Sequence, residues 1–198
     1  YLGQGVVKAL LDNGNQVVAA CHRNSEMIDQ RADIIVGDIF SVENPYEFYG
    51  KPDALLHMAW RDGFVHYSDT HINDLPKHVS FIEKFANSDV RTIAVIGSMH
   101  EIGFFYGVAK NALREVTQIL CEQNDKTFMW LRGYYIVGNT TSGSSIFSKI
   151  TSAALDGKNH FPFTQGLNQF DFIDYDVFCE QVVRAVTQDR IDGIINIC

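Results

Sequence analysis

A tyrosine and a lysine lie four positions apart in the stretch FFYGVAKNALRE, at Tyr106 and Lys110. On a helix this spacing places both side chains on one face, one turn apart. A phenol has a pKa of about 10 in water, too high for a base at neutral pH, but a nearby ammonium group stabilises the phenolate. Two interpretations are open: Tyr106 is an acid/base group tuned by Lys110, or it is a packed aromatic residue beside a solvated charge.

Ser98 ends the apolar run RTIAVIGS, shortly before Tyr106. A serine hydroxyl at such a place can hydrogen-bond a substrate oxygen while a tyrosine exchanges its proton. The alternative is that Ser98 only caps the turn after its strand. His100 and Glu101 follow, either as an additional acid/base pair or as ordinary polar loop residues. His57, at the end of another apolar run, is equally compatible with a buried, hydrogen-bonded histidine.

The length, composition and net charge of the chain limit the class of protein. The chain has 198 residues, of which 46% are hydrophobic and 20% charged, and this size suits one α/β domain or one domain plus a fragment. A net charge of −8 and a pI near 5.2 argue against a nucleic-acid or anionic-membrane surface. The four scattered cysteines lack metal-ligand spacing, and no apolar run approaches a membrane span. We expect a cytoplasmic protein without a metal, whose sequence here is incomplete at both ends.

Apolar runs alternate with amphipathic segments and predict the elements that position these residues. Strands are predicted in QVVAACHR, ADIIVGDIF, DALLHMAW, RTIAVIGS, TFMWLRGYYIVG, FDFID and GIINIC. Helices are predicted in GQGVVKALLDNGN, LPKHVSFIEKFANS, GVAKNALREVTQILCEQN, IFSKITSAALDGK and the segment after FDFID. The strands are apolar throughout, which is typical of a parallel sheet covered by helices on both faces. We therefore expect a doubly wound α/β fold, in which ligands bind at the carboxyl ends of the strands.

Seven stretches at these strand ends and helix starts occur in an order that resembles a known family. They are YLGQG, GDI, LLHMAW, GSMHEIG, YGVAK, LRGYYIVG and FDFID. In this order they resemble the extended short-chain dehydrogenases/reductases, in the NAD-dependent epimerase/dehydratase family that modifies nucleotide sugars. Each stretch is weak alone, but together they span almost the whole chain.

The resemblance implies a Rossmann-like doubly wound parallel sheet with a small, incomplete substrate lobe. Residues 1–138 would form the dinucleotide-binding core, 139–170 part of the substrate lobe, and 171–198 a return to the core. The implied catalytic residues are Ser98, Tyr106 and Lys110. Tyr106 would act as acid/base and Lys110 would tune it, while Ser98 would polarise the reacting oxygen.

The resemblance also implies ligand-binding positions, a substrate and an assembly. The cofactor-binding positions are Leu2, Gly3, His22, Arg23, Asp38, Ile39, Met58, Ala59, Trp60, Asn73, Tyr106, Lys110 and Tyr134. The substrate-binding positions are Ser98, Met99, His100 and Tyr135. The substrate would be a nucleoside-diphosphate sugar, and a homodimer is the expected assembly.

The cofactor choice depends on the residues after QVVAAC. Proteins of this fold that prefer NAD commonly place an acid here for the ribose 2′-hydroxyl, whereas this chain has His22 and Arg23. Because a guanidinium group suits a 2′-phosphate, the sequence favours NADP, with NAD possible. The alternative is that Arg23 only stacks on the adenine.

The residues after Ser98 bear on the reaction. Sugar 4,6-dehydratases of the family carry an Asp-Glu pair where this chain has Met99 and His100, so 4-epimerisation or reduction of a keto-sugar is expected instead. Two rival hypotheses are a non-catalytic dinucleotide-binding redox sensor and a structural interaction protein without a cofactor. The joint presence of Ser98, Tyr106 and Lys110 argues against both.

Only seven residues separate Ser98 from Tyr106, fewer than the family has at this place. Two explanations are open. Either a loop near Gly103 and Phe104 is missing from the sequence, or the short connection is real and the geometry between Ser98 and Tyr106 differs from the family's.

Overall fold

The computed structural model describes residues 1–138, 146–163, 165–167 and 169–198. The predicted substrate-lobe segment 139–170 is therefore described only in part, because residues 139–145, 164 and 168 lie outside the described residues. The division of the chain into core and lobe stays a prediction.

Strands and helices alternate along the described chain, as the apolar pattern predicts. The strands are β1 Val18–Cys21, β2 Asp33–Val36, β3 Ala54–His57, β4 Thr92–Ser98, β5 Thr127–Gly133, β6 Tyr135–Val137, β7 Phe172–Asp174 and β8 Gly193–Ile197. The helices are α1 Leu2–Asp12, α2 Pro45–Phe48, α3 Thr70–Ala86, α4 Phe105–Gln123, α5 Ile146–Leu155 and α6 Tyr175–Val186. Short 3₁₀ turns occupy Ser25–Met27 and Ile39–Ser41.

Every strand pairing in the described part of the chain is parallel. The strands form one ladder in the order β3-β4-β5-β8 and two pairs, β1-β2 and β6-β7. One prediction was wrong in detail: TFMWLRGYYIVG is not a single strand. It divides at Tyr134, because β5 pairs with β4 and β8 whereas β6 pairs with β7.

Successive residues of the central strands point to opposite faces of the ladder and are buried on both. Ile93 and Val95 of β4 pack into a cluster with α3 and α4, whereas Ala94 packs into a second cluster with α1 and α6. In β5, Trp130 packs into the cluster with α3 and α4, and Met129 packs into the cluster with α1 and α6. This two-sided burial explains why the strands are apolar throughout, and the doubly wound fold is confirmed.

Two helix boundaries show what the sequence pattern captured and what it missed. Helix α1 ends where predicted, and Gly14 just beyond it has a φ of +79°, a conformation that favours glycine. Helix α3 begins earlier than predicted, at Thr70, and continues through Pro76. Its start is tied to the preceding loop because the carboxylate of Asp62 accepts hydrogen bonds from Ser68 Oγ and Thr70 Oγ1. Within the described residues no helix has the length and apolar character needed to cross a membrane.

Candidate active site

The three predicted catalytic residues meet at the carboxyl end of β4. Ser98 is the last residue of β4, and Tyr106 and Lys110 lie in the first two turns of α4. The Ser98 side chain lies close enough to the Tyr106 hydroxyl to act on its pKa, which it lowers. The short connection between them therefore brings the two groups together and does not displace them.

Backbone contacts fix the orientation of Ser98. The His100 N–H donates to Ser98 Oγ at 3.1 Å. The Met99 N–H donates to the Gly133 carbonyl at 3.2 Å, which extends the β4–β5 ladder by one contact. The predicted substrate positions Met99 and His100 thus hold the chain just after the serine.

Tyr106 lies among aromatic rings. The ring of His66 is stacked on it at 5.4 Å, and the rings of Trp60 and His71 contact it edge-on at 6.0 and 5.2 Å. Burial raises the pKa of Tyr106 above its ordinary value of 10, although the Ser98 side chain acts in the opposite direction. This direction is opposite to the one expected from Lys110, and the side chain is a neutral phenol at neutral pH.

The Lys110 ammonium group is held by a backbone carbonyl and an aromatic ring. The lysine is 5% exposed, and its Nζ donates to the Ile96 carbonyl at 2.8 Å. The same Nζ lies 4.1 Å from the ring centre of Trp60, a cation–π geometry. Burial lowers the pKa of Lys110 to about 7.

A buried histidine network lies behind Lys110. His57 Nε2 and His78 Nδ1 are 2.8 Å apart, and Trp60 stacks on His78 at 4.5 Å. The Trp60 indole N–H donates to His71 Nδ1 at 3.1 Å, so the His71 proton lies on Nε2 and is donated to the Val65 carbonyl. Burial lowers the pKa of His57, and lowers that of His78 to about 4. The interpretation of His57 as a buried, hydrogen-bonded histidine is confirmed.

The start of α1 suits a pyrophosphate. Leu2 and Gly3 open this helix, no acidic residue occupies its first turn, and no side chain caps it. A Cβ added to Gly3 would lie 4.0 Å from Met58 Sδ, so the helix start approaches the chain just after β3. Free amide groups at a helix N-terminus are suitable donors for phosphate oxygens. The residues present therefore fit a dinucleotide at this position.

The remaining predicted cofactor positions lie at neighbouring strand ends. His22 and Arg23 follow β1 and are exposed; Asp38 follows β2, which pairs with β1. The Asp38 carboxylate accepts the Phe40 N–H at 3.0 Å and so caps the 3₁₀ turn that Ile39 opens.

The two loops nearer the catalytic residues hold most of the other predicted positions. Ala59 and Trp60 follow β3, and Tyr134 is half-buried between β5 and β6. The ring of Tyr135 lies 6.1 Å from that of His100, so these two predicted substrate positions are neighbours. Asn73, by contrast, is exposed on α3, and Lys110 donates to a backbone carbonyl rather than to it.

Glu101 is the residue that the sequence pattern left ambiguous. It is 8% exposed and accepts hydrogen bonds from Trp130 Nε1, Arg132 Nη2 and Arg114 Nη1 at 2.6, 2.8 and 3.1 Å. Its partners lie 13 to 31 positions away in the chain, so no local pattern could have revealed them. The described residues contain no cluster of three or more histidine, cysteine or acidic side chains that could hold a metal ion.

A parallel sheet with helices on both faces and a Ser-Tyr-Lys set at its carboxyl edge defines a Rossmann-fold protein of the extended short-chain dehydrogenase/reductase type. The model of the NAD dependent epimerase/dehydratase family matches residues 1–198. The chain belongs to this family.

Similar proteins agree with this assignment. The dTDP-6-deoxy-L-talose 4-dehydrogenase (NAD(+)) of Aggregatibacter actinomycetemcomitans is 32% identical over 218 residues, which cover 100% of this chain and 80% of that protein. Because the matched stretch is longer than this chain, the relative has residues without a counterpart here.

Two solved structures resemble the fold. The UDP-glucose 4-epimerase of Thermotoga maritima with UDP-glucose matches at a TM-score of 0.84 and 18% identity, covering 100% of this chain and 73% of its own. A double mutant of the dTDP-glucose 4,6-dehydratase of Streptomyces venezuelae matches at a TM-score of 0.82 and 14% identity. The match covers 99% of this chain and 72% of that chain. At such identities the likeness shows the fold alone.

Proposed function

We propose that this protein transfers a hydride between a nicotinamide dinucleotide and carbon 4 of a dTDP-linked deoxysugar, as a 4-keto-sugar reductase or its reverse, a 4-dehydrogenase. The observation that carries the proposal is that Ser98, at the end of β4, lies beside Tyr106, with Lys110 one turn further along α4. The relative that is 32% identical is named for a reaction at this carbon of such a sugar.

The protonation states favour Tyr106 as the acid in the reducing direction. A half-buried neutral phenol can donate its proton to a carbonyl oxygen as that oxygen gains negative charge. Ser98, oriented by the His100 N–H, would donate a second hydrogen bond to the same oxygen. When bound, the dinucleotide supplies or accepts the hydride. In the dehydrogenating direction the same Tyr106 oxygen takes the proton back.

Lys110 would act on the acid indirectly in this proposal. Its ammonium group is held by the Ile96 carbonyl and the Trp60 ring, and burial lowers its pKa to about 7. A ligand that brought oxygen atoms to this site would favour the charged form of Lys110. The charged lysine would then stabilise a phenolate at Tyr106 in the oxidising direction.

We propose NADP as the preferred form of the cofactor, on the basis of the residues at the end of β1. Arg23 is exposed there and no carboxylate occupies the neighbouring position, which favours a 2′-phosphate and therefore NADP. The name of the similar dehydrogenase points to NAD(+) for that protein. Side-by-side fluorescence titration with NADPH and NADH decides between them. If Arg23 binds the phosphate, Arg23→Ala weakens NADPH binding about tenfold and leaves NADH binding unchanged.

The activity test uses dTDP-6-deoxy-L-talose with NAD⁺ or NADP⁺ and follows reduced cofactor by absorbance. We expect turnover in the wild type and a loss of about 10²–10⁴ in kcat for Tyr106→Phe. Tyr67→Phe is the matched control, because Tyr67 is 68% exposed, and it should keep its kcat. Cofactor binding without any turnover would favour the redox-sensing regulator instead.

Epimerisation gives a different readout in the same assay. An epimerase returns the hydride to the sugar, so product sugar would form without net reduction of the cofactor. Chromatography of the sugar nucleotides beside the absorbance trace separates the two reactions. Net reduction in proportion to the keto-sugar formed is the result expected here.

The homodimer is also part of the proposal. Several apolar side chains on α3 and α4 are exposed; they are Ile72, Phe105, Val108 and Ile119. A second copy of this chain would cover them. Sedimentation or light scattering of the full chain should give twice the mass of the monomer. The Val108→Lys variant should give the mass of the monomer.

A further inference from the structure

We propose that Glu101 is a positioning residue that holds Ser98 and Tyr106 beside each other across their short connection. The inference rests on the proposed function, in which Tyr106 donates the proton and Ser98 donates a hydrogen bond to the reacting oxygen. Glu101 lies between them in the chain, and the hydrogen bonds of its side chain go to Arg114, Trp130 and Arg132, not to the phenol or the serine hydroxyl.

Both carboxylate oxygens of Glu101 are fully engaged. Oε1 accepts from Trp130 Nε1 at 2.6 Å and from Arg132 Nε at 3.2 Å. Oε2 accepts from Arg132 Nη2 at 2.8 Å and from Arg114 Nη1 at 3.1 Å. Arg132 thus binds the carboxylate with two donors, the geometry that best fixes a carboxylate in space. With four donors directed at it, Glu101 has no free lone pair for proton transfer, which separates it from the acid/base role.

The cluster joins three elements around the connection. Arg132 and Trp130 belong to β5 and Arg114 to α4, so the carboxylate ties the loop to both a strand and a helix. Burial acts to raise the pKa of Glu101, but the hydrogen bonds from Arg132 and Trp130 and the arginine charges outweigh it and lower that pKa. The buried group is therefore an anion compensated by two guanidinium groups.

Close packing against the backbone at each end of the connection links the Glu101 cluster to Ser98 and Tyr106. A Cβ added to Gly97, next to Ser98, would lie only 2.1 Å from Trp130 Nε1. A Cβ added to Gly107, next to Tyr106, would lie 2.6 Å from the backbone nitrogen of Ile102 and 2.8 Å from its oxygen. The indole that binds Glu101 is thus packed against the backbone beside the serine, and the residue after Glu101 is packed against the backbone beside the tyrosine.

The test compares Glu101→Gln with Glu122→Gln under the talose assay above. Glu122 lies exposed on α4 and accepts one hydrogen bond from Gln118, so it is the matched control. For Glu101→Gln we expect a 10- to 100-fold lower kcat, with KM for the sugar and the dissociation constant of the cofactor within threefold of wild type. Glu122→Gln should leave all three values unchanged. An unchanged kcat in Glu101→Gln, or a rise in KM that accounts for the loss, overturns the inference.

Two further readouts distinguish positioning from general damage. The Glu101 charge raises the pKa of Tyr106, so the limb of the kcat–pH profile that belongs to Tyr106 should move to lower pH in Glu101→Gln. In the Tyr106→Phe background the same change should cost less than threefold, because the group being positioned is gone. An unshifted limb, or a full 10-fold loss in that background, counts against the role.

A second variant covers the case in which Glu101→Gln does not fold. Trp130→Phe keeps an aromatic ring in the core and removes one donor to Glu101, so kcat should fall about 3- to 10-fold with KM unchanged. The wild type and Tyr106→Phe are measured first. If they do not differ, the proposed function fails and this inference falls with it; if they differ and both cluster variants keep wild-type kcat, only the inference is wrong.

Discussion

The two faces of the central ladder are built from different chemistry. The face covered by α3 and α4 buries a set of polar side chains: His57, His71, Asp74, His78, Glu101, Lys110 and Thr117. Each face also holds a core cluster of apolar and aromatic side chains with one cysteine and one tyrosine, such as Phe85 and Ile93 beside α3 and α4, and Val6 and Phe178 beside α1 and α6. Both faces are equally well buried, so the difference does not arise from exposure.

The buried polar side chains suggest that substitutions on the two faces affect stability and activity differently. Buried polar groups need partners, and each one on the α3/α4 face has them, because the described residues contain no buried side-chain nitrogen or oxygen without a hydrogen bond. Such networks fix one arrangement of side chains but contribute little net stability. We infer that both faces supply burial, and that the α3/α4 face also supplies precise placement around Tyr106. Substitutions on the two faces should therefore affect different measurements.

The largest expected effect on stability lies on the α1/α6 face. Phe178 is fully buried, and Phe178→Ala should lower the free energy of unfolding by about 3–5 kcal/mol through lost burial and the cavity left behind. Urea denaturation measures this loss, and kcat of the fraction that remains folded should be within threefold of wild type. A large fall in kcat would contradict the separation of the two faces.

The next effect concerns the histidine pair on the α3/α4 face. The folded-state pKa of His78 is about 4, below its ordinary 6.5, so between these values the unfolded chain binds the extra proton. Stability should therefore fall as the pH is lowered through 6.5 towards 4, by about 3 kcal/mol for His78 alone. In His78→Gln this fall should be reduced. His160→Gln, which changes an exposed histidine, should show the wild-type dependence.

Lys110 gives a smaller effect of the same kind at higher pH. Its folded-state pKa of about 7 lies below the ordinary 10.5, so the unfolded state holds more protons above neutrality. Without cofactor, stability should rise from pH 7 to pH 8.5, at no more than about 1.4 kcal/mol per pH unit. The rise should disappear in Lys110→Met and persist in Lys158→Met, whose lysine is exposed. A flat wild-type curve would contradict the buried, partly neutral lysine.

The smallest effect tests the α1/α6 face at its surface. The Asp174 carboxylate caps α6 by accepting the N–H groups of Asp176 and Val177 at 2.8 and 3.4 Å. Asp174→Ala should cost about 1 kcal/mol of stability, and Asp174→Asn should recover most of it. Neither variant should change kcat. A change in kcat would show that α6 acts on the site after all.

Sequence patterns predicted most of the strands and helices because these depend on local periodicity, and the family resemblance pointed to the Ser98, Tyr106 and Lys110 set through the order and spacing of its motifs. They did not predict the partners of Glu101, since Trp130 and Arg132 lie in a different strand and meet it only through folding. They also gave the wrong direction for the pKa of Tyr106. Spacing places Lys110 on the same helix face, but burial and the Ile96 carbonyl decide where its charge is directed.

The helix that carries Tyr106 begins without a cap of its own. Phe104 offers no side-chain acceptor, and the Tyr106 N–H donates instead to the carbonyl of His66, in the loop after β3. The neighbouring Val65 carbonyl is bound by His71 of α3, so one loop joins the starts of two helices. A ligand that favoured the ordered form of this loop would therefore also favour the ordered first turn of α4, and by thermodynamic linkage the coupling acts equally in the other direction. Ligand binding beside this loop would then favour the placement of Tyr106, and the placement of Tyr106 would favour ligand binding.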